Sequence, residues 1–197
     1  MVAPIQLQRR PARLSNMSEF EVVNVVGTIN FQQRIALSPL ADSLAERDEV
    51  NRVDYDPSEL HLIHTWFFED DIYVAFYKNG TCAVTGADSF EKFYEVSEAV
   101  GDIVEDIVDL KMETVVNPSN VVSTAEIENI PSLEAIAIGL GLERTEYEPE
   151  QFPALIYRGE DAVLLIFSGG KMVCTGLTDL GKISSAIDEI SEQIEAL

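Results

Sequence analysis

The chain is short of everything that staples or anchors a protein. It has two cysteines in 197 residues, Cys82 and Cys174, too far apart for a zinc ribbon and too few for a disulfide framework. No apolar run approaches the roughly 18 residues that a spanning helix needs, and no signal-peptide pattern opens the sequence. Near-neutral bases are scarce as well. His61 and His64 are the only histidines; on one strand they would face opposite ways, and no motif places a Ser or Cys nucleophile with them. Ser168-Gly169-Gly170-Lys171 has the composition of half a phosphate-binding loop without its spacing, and a hairpin is the better reading. Membrane, disulfide-scaffold, structural-zinc and enzyme readings are therefore set aside. No catalytic residue, metal or cofactor is expected, and the expected compartment is the cytoplasm.

Positive charge is the other scarcity. Thirteen basic residues face 35 acidic ones, a formal net charge of −22. On charge alone a nucleic-acid partner is excluded, because an acidic body repels phosphate. The distribution is informative. Residues 1–18 hold Arg9, Arg10 and Arg13 and no acid, and read as a flexible arm or an upstream extension. Segment 19–110 has 20 acids and 5 bases, and segment 111–197 has 15 acids and 5 bases. Acid spread this evenly points to acidic surfaces on folded units rather than to a tail. A cytoplasm of molar salt would favour such a surface, since the Debye length there is about 3 Å. Hydrophobic residues, at 46%, are ample for a core.

What the chain does contain is an internal repeat. Val22-Val23-Asn24-Val25-Val26-Gly27-Thr28 returns as Ser119-Asn120-Val121-Val122-Ser123-Thr124, and Tyr55-Asp56-Pro57-Ser58-Glu59-Leu60 returns as Tyr147-Glu148-Pro149-Glu150-Gln151-Phe152. Gly80-Thr81-Cys82-Ala83-Val84-Thr85-Gly86 returns as Gly170-Lys171-Met172-Val173-Cys174-Thr175-Gly176. The offsets are 120 − 24 = 96, 149 − 57 = 92 and 175 − 85 = 90. Collinear matches with slowly shrinking offsets mean two copies of one unit, 19–110 and 111–197.

Each copy predicts a β-branched strand (22–30; 119–126), then a short helix. Leu37, Leu40, Ala41 and Leu44 line that helix in the first copy; Leu133, Ile136, Ala137 and Leu140 do so in the second. A short strand at the Tyr-acid-Pro motif and three longer strands follow, with Asn79-Gly80 and Gly169-Gly170 at the last hairpin turn. A longer amphipathic helix closes each copy, striped by Phe93, Val96, Val100, Ile103, Val104 and Ile107, or by Ile183, Ile187, Ile190, Ile194 and Leu197. The unit is β-α-β4-α, an α+β fold. Strand alternation then leaves two apolar faces. In the second copy one face carries Asn120, Val122, Thr124, Phe152, Ala154, Ile156, Val163, Leu165, Phe167, Val173 and Thr175; the other carries Val121, Leu155, Leu164, Ile166, Met172 and Cys174. Two helices per copy cover one face. The second must meet something else: a ligand, another chain or another sheet layer.

The second copy, from Ile136 to Glu143, from Glu146 through Pro153 and from Leu165 through Gly176, resembles the archaeal TATA-binding proteins, and its acidity resembles those of halophiles. The resemblance spans about residues 20–197. It implies a saddle: a curved ten-stranded antiparallel sheet whose concave face takes DNA through the minor groove, with helices on the convex back. An ~80° kink and wedging side chains belong to that family. The wedge phenylalanines match Phe152 and Phe167, the central asparagines Asn24 and Asn120, the threonines Thr85 and Thr175, and the valines Val26 and Val122. Phosphate-facing cations match Arg158 and Lys171. The acidic loop that meets transcription factor B, and RNA polymerase indirectly, matches Glu148, Glu150 and Gln151. The first copy departs from the pattern. Leu60 and Tyr77 stand at the wedge positions, His61 replaces a proline, Trp66 and Thr81 replace the two cations, and Glu69-Asp70-Asp71 adds acid nearby. The alternative reading is therefore a paralogue that has lost DNA binding and uses the saddle for protein interaction, including dimerisation through its concave face.

Overall fold

The computed structural model describes residues 19–59, 61–67 and 72–197; the basic segment 1–18, Leu60, Phe68 and the acidic run Glu69-Asp70-Asp71 lie outside the described residues. The first repeat runs β1 (Phe20–Asn30), α1 (Leu37–Leu44), β2 (Val50–Asp54), β3 (Leu62–Phe67), β4 (Ile72–Tyr77), β5 (Thr81–Ala87) and α2 (Phe90–Ile107). The second runs β6 (Val115–Glu126), α3 (Leu133–Leu140), β7 (Thr145–Glu146), β8 (Ala154–Arg158), β9 (Val163–Phe167), β10 (Lys171–Leu177) and α4 (Leu180–Glu195). All ten strands form one antiparallel sheet in the order β2-β3-β4-β5-β1-β6-β10-β9-β8-β7.

That order reads the same from either end once the repeat is applied, so a pseudo-twofold axis crosses the β1–β6 seam. Val25 pairs with Val121, flanked by Asn24 with Val122 and by Val26 with Asn120. The seam also carries two matched irregularities, where the register skips Val23 on β1 and Ser119 on β6 (119 − 23 = 96). Such bulges bend a strand and increase its twist. They explain how Pro118 is accommodated in a central strand, where a missing N–H is otherwise costly.

The helices all contribute to one side. Val25, Val84, Val121, Leu155, Leu164, Ile166 and Met172 are fully or almost fully buried there against Phe93, Val96 and Val100 of α2 and Ile183, Ile187 and Ile190 of α4. Ser89, Ser132 and Asp179 cap α2, α3 and α4 by accepting from the N–H of Lys92, Ala135 and Lys182. Among the described residues no helix lies over the other side, and its residues are only half-buried along most strands. The two-face division of the second copy holds along β9 and β10; on β8, Ala154, assigned to the open face, is only 1% exposed beside its cross-strand partner Phe167.

Three local expectations are corrected. The short strand at the Tyr-acid-Pro motif lies before it, because β2 ends at Asp54 and β7 at Glu146, and the acid and proline instead form turns. Strands β1 and β6 start earlier than their β-branched runs, at Phe20 and Val115, since pairing with each other extends them. Leu197, assigned to the apolar stripe of α4, is 56% exposed; the stripe ends at Ile194.

Both cysteines face the helix-covered core as free thiols. Burial pushes both thiols up, Cys174 to about 11 even though the Ser123 hydroxyl acts the other way. Because the nucleophile is the thiolate, a raised value leaves both neutral at pH 8. Native protein should therefore react with a thiol reagent only as fast as it unfolds, with both groups titrating at once in denaturant. Rapid labelling of either in the native state would contradict the packing.

Candidate nucleic-acid interface

The centre of the open face is built twice, identically. The Asn120 amide nitrogen donates to Thr175 Oγ1 at 3.0 Å, while the Gly176 N–H donates to Asn120 Oδ1 at 2.7 Å. In the first repeat, Asn24 donates to Thr85 Oγ1 at 3.0 Å and receives the Gly86 N–H at 2.8 Å. Gly86 and Gly176 adopt φ of +102° and +100°, a conformation that favours glycine and that presents each N–H to the asparagine. A backbone N–H can only donate, so the atom it meets must be the amide oxygen. That orients both amides unambiguously and leaves each with one N–H beyond its threonine. Val26 and Val122, both half-buried, sit directly across the seam from Asn120 and Asn24. All six central residues singled out from the sequence therefore converge.

At the second repeat's end, Phe152 and Phe167 meet edge to face with ring centroids 6.3 Å apart. Phe152 is 40% exposed. Its place is set by the acidic loop: the Glu148 carbonyl accepts from the N–H of both Gln151 and Phe152, at 2.9 and 3.0 Å. Gln151 also donates its side-chain amide to the Glu148 carboxylate. Glu148, Glu150 and Gln151 are all exposed. Arg158 and Lys171 are exposed too, and Arg158 pairs with Glu146 at 3.1 Å.

The first repeat's end is chemically different. Tyr77 is 39% exposed; Leu60, expected beside it, lies outside the described residues. Trp66 is wrapped in an aromatic cluster that sequence reading missed. Tyr73 stands edge-on to it at 5.4 Å, His64 lies stacked at 6.5 Å, and the Tyr73 hydroxyl is hydrogen-bonded to His64 Nδ1. Arg52 stands over its ring, 4.5 Å from the centroid, and pairs with Asp54 at 3.2 Å. The alternation His64-x-Trp66 opposite Tyr73 was visible in sequence, but the cation came from a strand whose limits were misjudged. His61 lies in the bend before β3 rather than on the strand. A cavity of about 680 Å³ lies on the opposite, helix-bearing side, against Tyr157, Leu164 and Ile190.

Comparison with known proteins agrees with this geometry. Residues 19–107 and 115–197 match the family described as transcription factor TFIID, or TATA-binding protein. TATA-box-binding protein C of Halobacterium salinarum is 36% identical over 181 residues, covering 90% of this chain and 98% of that protein. TATA-box-binding protein 2 of Haloferax volcanii is 34% identical over 183 residues, covering 90% and 94%. Among solved structures, the Methanococcus jannaschii TATA-binding protein superposes with a TM-score of 0.75 at 30% identity, covering 91% of this chain and 99% of that one. The chain belongs to the TATA-binding protein family of transcription initiation factors.

Proposed function

We propose that the open face binds and bends AT-rich promoter DNA through the minor groove, and that the Glu148–Gln151 loop recruits transcription factor B and through it RNA polymerase. The observation that carries this reading is the mirrored Asn–Thr pair. Minor-groove floors of A·T and T·A pairs offer only acceptors, adenine N3 and thymine O2, whereas G·C adds an amino donor. Two amide N–H groups related by a twofold match a run of A·T pairs and repel a central G·C. The valines beside them supply apolar contact with a floor that carries little other information.

The net charge of −22 then dictates how binding responds to salt. Ordinary DNA binders lose affinity steeply as salt rises, because their cations release counterions from phosphate. Here carboxylates flank the face, and salt cations held between them and the phosphates would screen the repulsion. A mobility shift on TATA-containing duplex, with and without transcription factor B, should show affinity flat or rising up to molar potassium salt. A slope as steeply negative as a basic protein's would overturn this account. The substitutions in the first repeat, Tyr77, Trp66 and Thr81, favour a second reading, a paralogue that uses the face to bind protein or itself. It predicts no shifted band at any salt and dimers in sedimentation.

A further inference from the structure

The first repeat redirects an arginine that both repeats carry: Arg52 corresponds to Arg144 (144 − 52 = 92), which in the second repeat donates to the Tyr157 hydroxyl at 3.4 Å. Trp66 stands where the second repeat has Arg158 (158 − 66 = 92), and Asp54 stands where it has Glu146 (146 − 54 = 92), the same offset that relates Pro57 to Pro149. In the second repeat the acid pairs with the arginine of β8 at 3.1 Å. In the first repeat the acid is paired at 3.2 Å too, but with Arg52 of β2. Arg52 and Trp66 are direct cross-strand partners, so both side chains leave the same face, the open one. The guanidinium carbon lies 4.5 Å from the centre of the indole ring that occupies the position matching Arg158. The absence of a cation at residue 66 is thus offset by a cation laid over the tryptophan that stands there.

We propose that Arg52 is the phosphate-binding cation of the first repeat, with Trp66 as its positioning residue. The assignment rests on the reading that this face takes DNA. Stacking engages the flat face of the guanidinium and leaves its in-plane N–H donors directed outward. That fork suits two phosphate oxygens better than a lysine would. The Asp54 pair is exposed at both partners, hence weak and easily shared with a phosphate. Trp66 is itself held by Tyr73 and His64, so the platform is fixed before any ligand arrives.

The test is a binding series on a TATA-containing duplex over one decade of potassium chloride, from about 0.3 to 3 M. One phosphate contact is worth about 0.9 in the slope of log affinity against log salt. Arg52→Gln should therefore move the slope upward by about 0.9, a relative change of roughly eightfold across that decade. Arg158→Gln should do the same, and Trp66→Leu part of it. Trp66→Arg added to Arg52→Gln should return the slope to the wild-type value, because it puts a cation at the position that Arg158 holds in the second repeat. Melting curves should be nearly unchanged, both arginines being exposed. If Arg158→Gln shifts the slope while Arg52→Gln leaves it alone, the assignment of Arg52 is wrong and DNA binding by the face stands. If the wild-type protein binds no duplex at any salt, both readings fall together.

Discussion

Phe152→Ala and Phe167→Ala are each expected to abolish DNA bending while leaving a folded protein. The two rings meet edge to face on the open face, with centroids 6.3 Å apart and Phe152 40% exposed. A fully buried phenylalanine costs about 3–5 kcal/mol on truncation. A half-exposed edge-to-face pair loses about 0.5–1.5 kcal/mol beyond area, so melting should shift by only a few degrees. Toward DNA the loss is larger. Aromatic stacking on a base is worth about 1–3 kcal/mol, and a duplex that is not unstacked stays straight and withdraws from the rest of the face. Affinity should fall about tenfold to a hundredfold, with the bending signal in a two-dye energy-transfer assay lost. Tyr77→Ala should do less, since its ring carries a hydroxyl that must be desolvated to enter a stack. A large drop in melting temperature with either substitution would instead place the rings in a core or a dimer interface.

How far such a site is legible in sequence depends on whether its chemistry is local. The Asn24 and Asn120 positions stand out because asparagine is disfavoured inside strands, and the repeat marks them as a pair. Their bonds to Thr85, Gly86, Thr175 and Gly176 follow from strand neighbours 55 or more residues apart, which the repeat offsets suggest but do not specify. The alternation of buried and half-buried residues along β9 and β10 was legible for a simpler reason: period two is a property of the strand itself. The role of Arg52 was invisible. The repeat offset matches it to Arg144 (144 − 52 = 92), but nothing in Val50-Asn51-Arg52 says which way its side chain turns. Its meaning depends on the register of β2 against β3, and the strand limits there were set by tertiary pairing rather than by β-branched residues. The matched skips at Val23 and Ser119 were equally hidden, since a bulge is a relation between two strands and leaves no mark on either alone.

Reversal of charge in the acidic loop, Glu148→Arg with Glu150→Arg, is expected to weaken recruitment of transcription factor B without weakening DNA binding by this protein alone. Both carboxylates are exposed and sit on the turn that delivers Phe152, yet that turn is held by backbone bonds from Gln151 and Phe152 to the Glu148 carbonyl. Side-chain substitution therefore leaves the wedge in place. The Glu148 carboxylate is also engaged by the Gln151 amide, so its orientation is set before a partner docks. At a protein interface, stranding one member of a buried charge pair costs about 2–5 kcal/mol, whereas a rim charge mostly alters the encounter rate and its salt dependence. The two outcomes separate in a supershift at molar salt. A thirtyfold or greater rise in the factor concentration needed, about 2 kcal/mol, would place the glutamates inside the interface. A change seen only below about 0.3 M, where screening lengths exceed roughly 5 Å, would place them at its edge. Undiminished recruitment at every salt would remove this loop from the interface and shift the weight toward the protein-binding paralogue. The first repeat supplies the control. Asp56, the counterpart of Glu148, is held below its usual range by the hydroxyl and N–H of Ser58, so it stays charged, and its reversal should leave recruitment unchanged if only the second repeat's loop is read.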